Sequence, residues 1–125
     1  MAKQSVFRGL QQLRSYLTSL EGSNKSIFIL FTGDKNEQDG SSWCPDCNVA
    51  DPVIHKSLNL LSEDSEFITC YVGDRPTWKN PQNEFRMDKD IQLKCIPTLM
   101  QWKKNKVLRE EQCADESLVE MLFEN

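Results

Sequence analysis

Trp43-Cys44-Pro45-Asp46-Cys47 is the stretch on which the reading of this chain turns. Two cysteines with two residues between them can close a small disulfide ring, or they can supply half of a zinc site. The flanks weigh between the two. Ser26 to Thr32 (Ser-Ile-Phe-Ile-Leu-Phe-Thr) is a short, continuous apolar run, the pattern of a strand buried on both faces. A polar loop from Gly33 to Ser42 leads into the motif. After it, Val49, Ala50, Val53, Ile54, Leu58 and Leu61 recur at helical spacing, with Pro52 inside the pattern and expected to kink it. A strand before and a helix after favour dithiol–disulfide exchange. A tetrahedral zinc site needs four ligands, no second close cysteine pair exists, and His55 falls two turns along the helix, where it reads as a surface or packing residue.

The attacking species in thiol–disulfide exchange is a thiolate, and free cysteine is mostly protonated at neutral pH. If the helix begins at Pro45, Cys44 faces its unpaired N–H groups and the positive end of its dipole. Cys47 sits one turn further in and more shielded. Cys44 is therefore the expected nucleophile and Cys47 the resolving thiol. Trp43, Pro45 and Asp46 are expected to support or tune the pair: Trp43 by packing or substrate contact, Pro45 by starting the helix and stiffening the ring. Asp46 suits the helix dipole, yet it also sets a negative charge near Cys44. At about 4 Å in high dielectric that repulsion is on the order of 1 kcal/mol, enough to raise the Cys44 pKa and to discourage acidic targets.

Outward from the motif, Val6, Phe7, Leu10, Leu13, Leu17 and Leu20 predict one helix over 6–20, ended by Gly22. Phe67 to Val72 predicts a second buried strand. Gly73 to Lys79 reads as a loop, and Asn80-Pro81 as the cap and first residue of a short helix through about Lys89. Thr98–Trp102 and Val107–Glu111 flank the polar turn 103–106 as a hairpin. Asp115 can cap a last helix carrying Leu118, Val119, Met121, Leu122 and Phe123. The expected order is α β α β α β β α.

At 125 residues the chain suits a single domain, 1–125, around one core. Its net charge of −4 argues against nucleic-acid binding, which rests on neutralising phosphates. No apolar run approaches the roughly 20 residues that span a bilayer, and residues 1–20 lack the apolar core of a secretory signal. A cytoplasmic location is expected. Five cysteines, odd in number and irregularly spaced, do not form a disulfide scaffold; in a reducing compartment a close pair is usually catalytic or metal-binding.

Three pieces in this order resemble the thioredoxin superfamily: Trp43-Cys44-x-x-Cys47, Pro52 in the next helix, and Lys94-Cys95-Ile96-Pro97-Thr98 before a hairpin and final helix. Within it, the motif itself, Phe31-Thr32-Gly33, Arg75-Pro76-Thr77-Trp78-Lys79-Asn80-Pro81 and Val119-Glu120-Met121-Leu122-Phe123 are similar to one small branch, the 14-kDa thioredoxin-related proteins. The resemblance covers essentially the whole chain. It implies an α/β thioredoxin fold, a central mixed β-sheet flanked by helices. It implies a cytosolic protein-disulfide reductase with no bound cofactor, drawing electrons from NADPH through thioredoxin reductase. Its targets would be a restricted set of disulfides, including small ones such as cystine, with dynein light chain a family-associated partner and a monomeric state. Pro97 matches the family's cis-proline, beside the dithiol, and the backbone of Ile96 would pair with an extended substrate.

Two departures mark the chain. Ordinary thioredoxins carry a buried Asp in the strand before the motif, where this chain has Leu30; Asp46 or water would take over its role. The 33–42 loop is longer than usual and would shield the dithiol from bulky targets. Of the remaining cysteines, Cys70 reads as core, Cys95 as a strand-end or regulatory thiol near Pro97, and Cys113 as a solvent-facing loop thiol. Trp78 is either loop packing or a partner contact. The rival readings are a thioredoxin-like adaptor that binds partners without catalysis and a glutaredoxin-like enzyme using glutathione, against which Trp43 argues.

Overall fold

The computed structural model describes residues 1–124. Its elements run β1 (Lys3–Arg8), α1 (Leu10–Ser19), β2 (Ser26–Thr32), α2 (Pro45–Ser57) with a 3₁₀ turn at Leu58–Leu60, β3 (Ser65–Tyr71), α3 (Arg75–Lys79), α4 (Glu84–Met87), β4 (Thr98–Gln101), β5 (Lys106–Arg109), a 3₁₀ turn at Glu110–Ala114, and α5 (Glu116–Glu124). The strands form one mixed sheet in the order β1-β3-β2-β4-β5. β1 and β2 flank β3 in parallel, and β4 and β5 continue antiparallel. This is the expected α/β thioredoxin-like fold.

The continuous apolar run of β2 is central because both of its faces are covered. Ile27, Ile29 and Phe31 point to one layer, with Leu13 and Leu17 of α1, Trp78 of α3, Phe85 of α4, and Ile91 and Leu93. Phe28 and Leu30 point to the other, with Ala50 and Ile54 of α2, Leu99, and Val119, Leu122 and Phe123 of α5. Phe123 meets Phe28 edge-on at 5.3 Å between ring centroids, and Phe31 meets Phe85 at 5.9 Å. Leu30, the position of the missing acid, is fully enclosed in the second layer.

The N-terminus corrects the expectation of a single helix over 6–20. Gly9, at φ +84°, separates a strand from a shorter helix. Val6 is 60% exposed and belongs to an edge strand paired with Thr69. Phe7 and Leu10 share a helical interval only by coincidence: Phe7 reaches the core by strand alternation, Leu10 by helical rotation. The start of α1 is satisfied from outside, since Glu84 of α4 accepts from Leu10 N at 3.0 Å.

The 73–79 segment is likewise not a plain loop. Asp74 accepts from Thr77 N at 3.0 Å and Pro76 lies in the first turn, so α3 forms there. Asn80 then makes a local turn by accepting from Gln82 N, and Asn83, not Asn80, caps α4, which ends at Met87 instead of Lys89. The hairpin occupies its expected place, and Asp115 accepts from Leu118 N at the start of α5. Cys113 corrects another expectation: its thiol is buried beneath the hairpin, 3.4 Å from the Leu108 carbonyl. Burial pushes that thiol, and the core thiol of Cys70, up to about 12.

Candidate functional site

The site is built where the C-terminal end of β2 hands over to α2. Helix α2 begins at Pro45, and Cys44 occupies its N-cap in extended conformation. Cys44 and Cys47 are joined as a disulfide, with Cα atoms 5.2 Å apart. Cys44 Sγ also accepts from Cys47 N at 3.3 Å, so one of the orphan N–H groups of the helix start is turned on the sulfur. Both residues are buried, Cys44 at 5% exposure and Cys47 at 2%. The two differ in access: Cys44 lines a surface groove of about 440 Å³, and Cys47 does not.

Pro45, Asp46, Trp43, Ile96 and the half-buried Cys95 line the same groove. Ile96–Pro97 is a cis peptide bond immediately before β4. The structure thus brings together the motif and the residue before the proline, as the resemblance implied. Asp46 is exposed in the first turn of α2. The thiol of Cys95 is pushed up by burial, against a weaker opposing contact from Thr98. His55 is exposed on α2. A larger depression of about 810 Å³, between α1, residues 89–92 and the β4–β5 turn, contains neither motif cysteine. Among the described residues, no three His, Cys, Asp or Glu side chains converge as a metal site.

Trp43 is placed by two glycines. Its Nε1 donates to the Gly73 carbonyl at 3.0 Å. Its ring lies so close to Gly33 that a Cβ there would come within 2.9 Å of Cε2. Gly73 itself sits at φ +117°, where side chains are strained. Trp78 is buried, its ring 3.7 Å beneath the Arg86 guanidinium, so it packs the groove wall.

Two residues were not singled out by the sequence reading. Ser42 Oγ accepts from Cys44 N at 3.1 Å and donates to the Gly33 carbonyl at 3.0 Å. Its own backbone is gripped by Asn48 of α2, which accepts from Ser42 N and donates to Ser42 O, both at 2.8 Å. This double latch fixes the peptide entering the motif against the helix leaving it. The only hint in sequence was a serine two positions before the cap. The 33–42 loop is tied down as well: Lys35 pairs with Asp51 of α2 at 2.6 Å, and Asp34 accepts from Gly73 N at 3.1 Å.

Chemically, the arrangement is a dithiol–disulfide couple at a helix start, with one cysteine lining a surface groove. Among the described residues no helix is long and apolar enough to cross a membrane.

The comparisons with known proteins agree with this geometry. A family model described as thioredoxin domain-containing protein 17-like, thioredoxin domain, matches residues 6–125. Thioredoxin domain-containing protein 17 of Mus musculus is 45% identical over 103 residues, covering 82% of this chain and 81% of the relative. The Homo sapiens protein of that name is 45% identical over 101 residues, covering 81% and 80%. The thioredoxin-like protein Clot of Arabidopsis thaliana is 45% identical over 93 residues, covering 74% and 67%.

Proposed function

The chain belongs to the thioredoxin domain-containing protein 17-like thioredoxin family, and from that premise we propose that it is a protein-disulfide reductase working through Cys44 and Cys47. The observation that carries the reading is the asymmetry of the pair: Cys44 lines the groove beside Ile96–Pro97, and Cys47 lies behind it.

In the reduced protein the Cys44 thiolate attacks one sulfur of a target disulfide. The target S–S bond breaks, and the leaving sulfur takes up a proton. Cys47, one helical turn away, then attacks Cys44 Sγ, re-forming the Cys44–Cys47 bond and releasing the second target thiol. The hydrogen bond from Cys47 N favours the charged sulfur of Cys44. Asp46 opposes it through a negative charge in the same turn. Pro45 starts the helix that aims the N–H groups, Trp43 walls the groove, and the backbone of Ile96, held by the cis bond to Pro97, pairs with an extended substrate strand.

No cofactor need be bound. Electrons arrive from NADPH through thioredoxin reductase, in the cytoplasm, and pass to a restricted set of disulfides that includes small ones such as cystine. A dynein light chain is a candidate protein partner, and the protein acts as a monomer.

The test is NADPH consumption with thioredoxin reductase and a disulfide substrate. Wild type should sustain turnover and Cys44→Ser should abolish it. Equal traces would replace the enzyme by an adaptor that binds partners without catalysis. Turnover only when glutathione and its reductase replace thioredoxin reductase would assign a glutaredoxin-like reaction.

A further inference from the structure

Six charged side chains frame the groove onto which Cys44 opens: Arg75, Lys79, Arg86 and Lys94 against Asp46 and Glu110. The groove therefore carries an excess of two positive charges in a chain whose net charge is −4. The cations come from three separate segments: Arg75 and Lys79 from α3, Arg86 from α4, and Lys94 from the run into the cis bond. Outside the groove, among the described residues, four of the other eleven basic side chains are in ion pairs: Arg14 with Asp88, Lys25 with Glu66, Lys35 with Asp51 and Lys56 with Glu116. Among the described residues, none of the four groove cations is in an ion pair.

Arg86 is also preorganised. Its guanidinium lies 3.7 Å over the Trp78 ring, and its Nε donates to the Trp78 carbonyl at 3.0 Å. Its two terminal nitrogens find no acceptor among the described residues. A fixed guanidinium fork with free donors suits a carboxylate, which it can bind through two parallel hydrogen bonds. Arg86 packs Trp78, but gathering four like charges around one groove costs repulsion that an anionic occupant would offset.

We propose that the groove selects target disulfides flanked by carboxylates, as in an acidic peptide segment, with Arg86 gripping a carboxylate and Arg75, Lys79 and Lys94 steering its approach to Cys44. This rests on the reductase reading above and names its substrate class. It also reverses the expectation from Asp46 alone: four cations outweigh the acids beside them. The exchange is unchanged in kind. The peptide disulfide gains two electrons and two protons, and the Cys44–Cys47 dithiol loses them and closes its own disulfide.

The experiment is a single turnover. Protein reduced with dithiothreitol and freed of it is mixed with matched synthetic peptides, each carrying one internal disulfide flanked by Glu, Gln or Lys. Peptide thiols are followed by mass spectrometry. The Glu peptide should react about tenfold faster than the Lys peptide at low salt, within the range of electrostatic steering, and the advantage should shrink severalfold near 0.5 M salt. The double variant Arg75→Glu/Lys94→Glu, at two exposed positions, should erase or invert the order, as should Arg86→Glu. Lys103→Glu/Lys104→Glu changes net charge equally at residues that do not line this groove, and should leave the preference intact. Equal rates for the Glu and Lys peptides, or a preference lost equally in the hairpin variant, would overturn the charge selection while leaving the reductase reading standing. Reduction of none of the peptides would overturn both.

Discussion

Ser42→Ala isolates the contact that holds the motif in place. Ser42 is buried, 8% exposed, and its hydroxyl serves two backbone groups at once, accepting from Cys44 N at 3.1 Å and donating to Gly33 O at 3.0 Å. Alanine removes both bonds and offers nothing in return. A buried donor left without an acceptor costs about 1–3 kcal/mol. For a domain of this length each kcal/mol shifts Tm by roughly 4 °C, so a fall of roughly 4–12 °C is expected. The latch from Asn48 survives, because it grips the backbone of residue 42 and not its side chain. The loss should therefore be local, and the denaturant slope m should not change. Urea unfolding gives the stability. Stopped-flow reaction of the reduced protein with a small disulfide, far below Tm, gives the rate. A freed Cys44 amide lets the cap move, so that rate should fall severalfold although the protein is folded. A stability change below about 0.5 kcal/mol, the range of ordinary surface substitutions, would refute the energetic reasoning. A lower Tm with an unchanged rate would refute the positioning role and leave a purely structural one.

Three further outcomes follow from contacts already described. Burial pushes the Asp88 carboxyl up, but Arg14 and the backbone N–H groups of Ile91 and Asp90 hold it below the usual carboxylate range. Because the folded value is the lower one, the stabilisation is present above about pH 4 and is lost as pH falls through the folded value. Asp88→Asn should thus cost about 1–3 kcal/mol at neutral pH, a difference that narrows as pH falls through the folded value; a gap independent of pH in urea unfolding would contradict it. Gly33→Ala would set a Cβ 2.9 Å from Trp43 Cε2, so the indole should move off the Gly73 carbonyl, and an indole N–H resonance unchanged from wild type would count against the packing argument. Asp46→Asn removes a repulsion on the order of 1 kcal/mol, so attack by Cys44 on a neutral disulfide should quicken by up to about fivefold; a slower reaction would remove the idea.

Much of this was legible in the residues, for identifiable reasons. β2 is apolar at every position between Ser26 and Thr32 because both faces are covered, and that pattern needs no tertiary knowledge. The cysteine spacing and Pro45 place the pair at a helix start by local rules alone. The failures lie where local rules compete. Phe7 kept helical phase with Leu10, and only pairing with β3, more than 60 residues away along the chain, makes a strand of residues 3–8. Two Asn and one Asp stood ready to cap helices between Asp74 and Asn83; packing of Trp78 and Phe85 beneath the groove goes with Asp74 and Asn83 as the caps. Cys113 looked exposed because its neighbours are polar, yet a 3₁₀ turn carries it under the hairpin. Ser42 and Asn48 were unreadable because their reciprocal bonds depend on how the loop returns to α2. The charge of the groove was hidden for a similar reason: Arg75, Lys79, Arg86 and Lys94 are scattered among acids in sequence and converge only in space.

The proposed chemistry requires that Cys44 attack and Cys47 resolve. Mass spectrometry of reduced Cys47→Ser mixed with a disulfide peptide tests it most directly. A mixed disulfide should accumulate on Cys44, be absent in Cys44→Ser, and be only transient in wild type. A stable adduct in Cys44→Ser, carried on Cys47 or Cys95, would contradict it.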